Sequence, residues 1–352
     1  MLSLHPVDTR NRADVRRFVN LPFKLYRGAP NWVPSILVDA YTQLNRNKHP
    51  FYEHSTANFW IATRDGEDVG RIAALENVNF NRHHGTRQAQ FYLFDCADDE
   101  EIATALFEQA FERARARGLT ERVGPKGFGP LDGYGILVEA LGFRKEVDFV
   151  SCYLGAASFR LPERVHRIAE RAARASGLAV KQFRSKRELK SWAGRIGRAY
   201  NRAFVNNWEY VPLTDREVKF VTDNVMTVAD PRLIKIILHA EEVVGFLFGF
   251  PDVSAALQRT GGRLFPLGVV DLLREFKRTK WIALNGAGIL PEFQGRGGNA
   301  LLYSEMEKTI HQHGFEHADL TQVAESAVQM RHDLVNVGGV PYKNHRVYRR
   351  SL

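Results

Sequence analysis

Gln294-Gly295-Arg296-Gly297-Gly298 is the stretch whose residue types and spacing are best suited to chemistry. Glycines let several backbone N–H groups converge on one point, and a helix starting there adds the positive end of its dipole. Such a turn suits a pyrophosphate. Before it, Trp281–Leu290 is an apolar run of strand length ended by Pro291. After it, Ala300, Leu301, Leu302, Tyr303 and Met306 fall at core spacing on a helix. A strand, a tight turn and a helix would therefore position the glycines. Neither Gly-x-x-x-x-Gly-Lys-Ser/Thr nor an early Gly-x-Gly-x-x-Gly in a βαβ unit is present, which argues against a P-loop and a dinucleotide fingerprint. Taken alone, the turn also fits a plain surface loop at a helix start.

Other clusters imitate sites. Asn47–His54, NKHPFYEH, sets two histidines beside aromatics without a third ligand at a recognisable spacing, and reads as packing. His311, His313 and His317 end a helix, where imidazolium suits the dipole. Cys96 and Cys152 have no metal spacing and read as free core thiols in a reducing cytoplasm. No metal is expected. The glycine-rich Gly124–Gly135, GPKGFGPLDGYG, lacks a committed helix behind it and reads as a connector. Met1–Arg12 has no apolar signal region. Leu233–Phe250 is interrupted by Lys235, His239, Glu241 and Glu242, so neither signal peptide nor membrane span is expected, and the location is cytoplasmic.

The chain has 352 residues, 44% hydrophobic and 25% charged, enough for two globular domains. Its net charge of +9 is concentrated: Arg160–Arg202 holds thirteen Lys/Arg against three Glu. Arg164, Arg167, Arg171 and Arg174 share one face of a helix begun by Pro162. That face suits an anionic membrane surface, or is simply solvated; nucleic acid is the less favoured partner.

In order, the chain reads as a strand near Ser3–Val7 and a helix over Arg12–Leu25 capped by Asp8 or Thr9. A hairpin (Phe59–Thr63 and Val69–Leu75), a strand at Gln90–Phe94, a helix over Asp98–Arg117 and a strand at Glu121–Gly124 follow. The pattern restarts at Leu178–Phe183, with a helix over Glu188–Phe204, a capping box at Thr214 and Glu217, and a hairpin at Leu233–Leu238 and Val243–Phe250. Beyond the glycine turn come a strand, His317–Val323, a helix, Glu325–Val335, and a last strand near Tyr342–Tyr348.

Gln294 and Gly297, with this order of elements, resemble motif A of the GCN5-related N-acetyltransferase (GNAT) superfamily; Asn299 stands where a small residue is usual. The resemblance implies an α/β fold of two tandem GNAT-like domains, each a mixed central sheet flanked by helices, with domains at 1–156 and 157–352. It implies acyl-CoA as co-substrate, held by Gly288, Ile289, Leu290, Gln294, Gly295, Arg296, Gly297, Gly298, Asn299 and Ala300. It implies an amine acceptor beside Asn207, Trp208 and Tyr210. The usual GNAT tyrosine context is replaced by His332–Gly339. Glu325 is the first choice of base, His332 or Tyr342 the replacement for the tyrosine, and Asn285 a group to orient the acceptor. In the first domain, Asp95-Cys96-Ala97-Asp98-Asp99-Glu100-Glu101 occupies the place of motif A, and these acids would repel a pyrophosphate. Pro251–Lys280 is longer than the usual GNAT connection and reads as a lid or a cover for an acyl chain.

More narrowly, Pro30–Pro34, Lys48–Phe51, Gly70–Ala74 and Asn207-Trp208 with Val211-Pro212 are similar to a group of bacterial tandem-GNAT proteins associated with the bacterial ceramide synthases. That implies transfer of a long acyl group to a sphingoid-base amine by direct attack on the thioester, at the inner face of the cytoplasmic membrane. The alternatives are an N-acetyltransferase for a small soluble amine or peptide, and a non-catalytic module binding membrane or nucleic acid.

Overall fold

The computed structural model describes residues 1–123, 134–157 and 159–352. Most of the glycine-rich connector, 124–133, and Ser158 at the expected boundary lie outside them. The chain runs β1 (Leu2–Pro6), α1 (Arg12–Leu25), α2 (Leu37–Gln43), β2 (Thr56–Arg64), β3 (Glu67–Glu76), α3 (Val78–His84), β4 (Gln88–Cys96), α4 (Glu100–Ala116), β5 (Glu121–Val123), α5 (Tyr134–Ala140) and β6 (Arg144–Gly155). It continues as α6 (Glu163–Ala175), β7 (Leu178–Lys181), α7 (Lys186–Ser191), α8 (Ala193–Ala203), α9 (Asp215–Val228), β8 (Ile234–His239) and β9 (Glu242–Pro251). Then come α10 (Ser254–Thr260), α11 (Gly268–Arg278), β10 (Trp281–Ile289), α12 (Gly298–His313), β11 (His317–Ala324), α13 (Val328–Asn336) and β12 (Val340–Ser351).

Two compact units form, and neither is a single segment. One comprises Met1–Asp148, Ser254–Leu272 and His345–Leu352; the other comprises Phe149–Val253 and Leu273–Asn344. The division therefore differs from one cut near residue 156. A sequence reading follows the order of elements, whereas compactness follows contacts made by segments that return to an earlier core. Ser254–Leu272 shows why: Gln258 Nε2 donates to the carbonyls of Pro30 (2.9 Å) and Trp32 (3.0 Å), and Leu37 N–H donates to the Gly262 carbonyl at 2.9 Å.

In the first unit, β1–β2–β3–β4 is antiparallel, β4 pairs with β5 in parallel, and Arg349–Ser351 of β12 adds to β5. Ile102, Leu106, Ala110 and Ala114 form the buried face of α4, as their spacing predicts. Phe91, Phe107, Phe111 and Phe143 close the core, with Phe91 and Phe107 edge to face at 4.9 Å. The acidic run divides in two. Asp99 caps α4 and pairs with Arg64, which also holds Glu101, whereas Asp95 is buried on β4 against Arg71. The cap of α1 is Asn11 rather than Asp8 or Thr9, its side chain accepting from Ala13 N–H.

In the second unit the order is β7–β8–β9–β10–β11, with the Phe149–Gly155 half of β6 beside β11. The helix expected over Glu188–Phe204 is two helices, α7 and α8, meeting at Trp192. The indole is held edge-on by Phe183 at 5.8 Å and covered by Arg195 at 3.8 Å, and the glycines on α8 weaken a continuous helix. The capping box of α9 is complete: Thr214 Oγ1 accepts from Glu217 N–H, and Glu217 accepts from Thr214 N–H. Thr214→Ala is expected to destabilise this unit by about 1 kcal/mol, read as a lower urea midpoint at unchanged slope.

Candidate active site

The site begins where two parallel strands part. β10 and β11 pair from Trp281↔His317 to Leu284↔Leu320, and the ladder ends there although both strands continue. At that level each strand bulges. β10 shifts register against β9 between Leu284 and Ala287, with Gly286 at φ 93°, and β11 shifts against β6 between Leu320 and Val323, with Gln322 at φ 53°. Thr321 Oγ1 donates to the Leu284 carbonyl at 3.2 Å. Beyond this link, polar backbone groups on the facing edges are left for another partner.

A cleft of about 1150 Å³ opens there, lined by Ala287–Ile289 of β10, the glycine turn, the start of α12 and one side of α13. Gly297 caps α12 at φ 84° with no side chain on the first-turn amides, so the N–H groups of Gly298, Asn299 and Ala300 keep their donor capacity. Gly295, at φ 75°, also requires the left-handed region. Of the expected coenzyme A residues, Gly288, Ile289, Gln294, Gly295, Gly297, Gly298, Asn299 and Ala300 line the cleft. Leu290 and Arg296 do not. Leu290 is fully buried with its N–H on the Val244 carbonyl, and Arg296 lies 5.0 Å over the Phe293 ring. Asn299 turns its amide away from the turn, donating to Asp333 Oδ2 at 3.2 Å, which explains how it is accommodated where a small residue is usual.

The four expected catalytic residues are not assembled at this cleft. Glu325 and His332 line a smaller cavity of about 220 Å³ on another side of α13, with Val150, Cys152 and Val323. Asn285 is exposed on β10, and Tyr342 is 43% exposed with its ring 6.3 Å from Tyr153. On the acceptor side, only Asn207 lines the cleft. Trp208 packs edge-on against Phe149 at 5.9 Å, and Tyr210 donates to Asn201. Burial, with Tyr200 beside it, pushes the Tyr210 hydroxyl up to about 12. Both aromatics therefore have packing or hydrogen-bond partners away from the cleft lining. Lone polar types on strand ends and turns carry no signal of which wall they face.

Arg164, Tyr303 and Asp333 are the titratable groups lining the cleft among the described residues. Burial raises the Tyr303 hydroxyl well above its ordinary value, and it donates to Met330 Sδ at 3.6 Å. It stays protonated at neutral pH. Arg164 is exposed like the rest of the array and also lines the mouth of the cleft from α6, whose Ile168 and Ala172 lie so close to Gly297 that a Cβ there would be 3.0 Å from each. Arg167, Arg171 and Arg174 remain exposed, Arg167 paired with Glu163. The spacing showed the shared face but not the neighbour beside its first member. If Arg164 meets phosphate, Arg164→Gln weakens coenzyme A binding about fivefold at low salt and less at high salt, as titration calorimetry at two ionic strengths would report.

The histidines that imitate a metal site diverge. His311 accepts from Arg160 at 2.9 Å, His313 from Arg232 at 3.0 Å, and His317 stacks on Trp281 at 4.4 Å. Partial burial and Arg232 lower the His313 pKa, opposing the charge that a helix end would favour. His49 caps a short turn through Nδ1 and packs on Phe51 and Tyr52.

A strand pair that bulges apart over a glycine-capped helix start, in a chain of two compact units each with its own strands and helices, is the GNAT fold in tandem. The solved structures agree. A tandem GNAT protein from the clavulanic acid biosynthesis pathway superposes with TM-score 0.63 at 14% identity, covering 100% of this chain and 98% of its own. A GCN5-related N-acetyltransferase from Sphaerobacter thermophilus gives 0.56 at 13%, covering 99% and 95%. In sequence, the chain is 27% identical over 383 residues to the bacterial ceramide synthase of Caulobacter vibrioides (strain NA1000 / CB15N), covering 100% of this chain and 98% of that protein. It is 22% identical to protein YghO of Escherichia coli (strain K12), covering 97% and 94%. No family model matches the chain. The fold and the resemblance read from the sequence are borne out.

Proposed function

We propose that the chain is an acyl-CoA-dependent N-acyltransferase that transfers a long acyl group to the amine of a lipid such as a sphingoid base. The observation that carries the reading is the opening between β10 and β11 that leads to the start of α12, whose first-turn amides no side chain caps. It offers amide donors and Arg164 to phosphates and a largely apolar passage to the rest of the donor. Its volume, somewhat above the usual range for ligand pockets, supports a large co-substrate. The full-length similarity to a bacterial ceramide synthase supports the lipid acceptor.

In this reading the amine nitrogen attacks the thioester carbonyl carbon, and a β10 backbone N–H stabilises the oxyanion. The C–S bond then breaks. The amine gives up its proton to a base, and Tyr303, whose ring lines the cleft, is the group proposed to protonate the departing thiolate. The exposed Arg167, Arg171 and Arg174 give α6 a cationic face towards anionic lipid on the cytoplasmic side. The long connection Pro251–Lys280 contributes no residue to the cleft lining, so the passage is formed without it.

The test is release of free coenzyme A from acetyl-, octanoyl- and palmitoyl-CoA, with and without a sphingoid base. Base-dependent release from palmitoyl-CoA supports the proposal. Preference for acetyl-CoA with a soluble amine replaces it by the short-chain reading, and no release from any donor overturns both.

A further inference from the structure

The segment 263–278 exposes what globular surfaces ordinarily cover. Phe265 and Leu267 are each 76% exposed, Leu273 57% and Val270 45%. On α11, Val269, Leu272 and Phe276 recur at spacings of three and four and are covered to varying degrees, Leu272 fully. Val270, Arg274 and Lys277 recur likewise on the exposed side. Arg263, Arg274, Lys277 and Arg278 are exposed around the apolar side chains, and among the described residues no carboxylate is paired with any of them. Asp271 is engaged by Arg259 at 2.9 Å.

We propose that this segment inserts into the headgroup region of an anionic lipid bilayer, with Phe265, Leu267, Val270 and Leu273 entering the acyl boundary and the surrounding cations meeting lipid phosphates. Apolar side chains ringed by unpaired cations call for a partner that offers hydrocarbon and negative charge in one surface, and anionic lipid does so. A second copy would bring the same cations face to face, and neutral protein would leave them unmatched. The inference does not rest on the acyltransferase reading; it assigns a membrane contact to a segment that contributes nothing to the cleft lining.

The test is sedimentation of the full chain with phosphatidylcholine vesicles, with and without phosphatidylglycerol, at low and high salt. Wild type is expected to bind the phosphatidylglycerol vesicles and to release at high salt. Phe265→Ser with Leu267→Ser is expected to bind at least about tenfold more weakly. Arg274→Gln with Lys277→Gln should lose several-fold in binding and much of the salt dependence. These side chains are exposed, and matching urea unfolding curves for variants and wild type would show the fold intact. Failure to bind vesicles, or equal binding by wild type and both variants, overturns the proposal. So does a concentration-dependent dimer that Phe265→Ser with Leu267→Ser abolishes, because a second copy would then cover the patch.

Discussion

Gly295→Asp is expected to weaken coenzyme A binding about 30- to 150-fold, while Gly295→Asn stays within a few-fold of wild type. Both residues tolerate the left-handed region better than other side chains, so the backbone cost of leaving glycine, about 1 kcal/mol or less, is shared by the pair. A Cβ at Gly295 meets nothing within 4 Å, so neither side chain collides with a neighbour. They are nearly isosteric and differ by one negative charge at the mouth of a site proposed for phosphates. At about 6 Å in a partly screened environment, one repelling charge costs about 2–3 kcal/mol, which is the stated factor. Gly297 is a poorer probe, although it is the helix cap itself. A Cβ there stands 3.0 Å from Ala172 Cβ and Ile168 Cγ2, so any substitution would disturb α6 whatever its charge. Calorimetric titration of coenzyme A into both variants decides the matter, and equal affinities would remove the turn from the phosphate site.

The pair also shows which part of the site was legible in the sequence. A turn that needs φ above zero at Gly295 and Gly297, between an apolar strand and a helix with core spacing, leaves a trace in residue type, because few other residues tolerate that backbone. The elements around it were legible for the same reason: α4 and α12 carry helical periodicity, and Thr214 with Glu217 sets its own cap. The walls of the cleft were not. Whether Glu325 or Tyr303 faces the cleft depends on a bulge at Gln322 and on the direction in which α13 leaves β11, and single polar residues do not encode either. The spacing places Arg164 on a basic face, but its place in the cleft lining depends on α6 packing against α12 through Ile168 and Ala172, a contact between elements far apart in the chain. The units escaped for a similar reason. Ser254–Leu272 has ordinary amphipathic composition, and its contacts in the fold, among them hydrogen bonds to Pro30, Trp32 and Leu37, place it with the first unit.

Asp95→Ala is expected to destabilise the first unit by about 3–5 kcal/mol. Read along the sequence, Asp95 opens an acidic run at a helix start; in the fold it is the buried anion of a small network. Arg71 Nε donates to its Oδ2 at 2.8 Å, and Tyr26 donates its hydroxyl to Oδ1. Arg71 also donates to the Phe18 carbonyl at 2.8 Å and lies 4.9 Å over the Phe18 ring, so the guanidinium ties β3 to α1. The side chains of Arg71 and Asp95 are 10% and 11% exposed. Removing the carboxylate leaves a cation with little water to replace it and a tyrosine hydroxyl without its acceptor, and that uncompensated desolvation makes the loss large. Asp95→Asn keeps the shape and an acceptor for Tyr26, so it should cost less. Asp95→Leu combined with Arg71→Met removes both charges and should recover much of the stability lost by Asp95→Ala. With two compact units, global unfolding is not guaranteed to be two-state, and hydrogen exchange of the β3 and β4 amides is the suitable measure. Protection within about 0.5 kcal/mol of wild type in Asp95→Ala would mean that the pair does not hold α1 to the sheet. Coenzyme A titration of the same variant would report separately on the unit that carries the cleft.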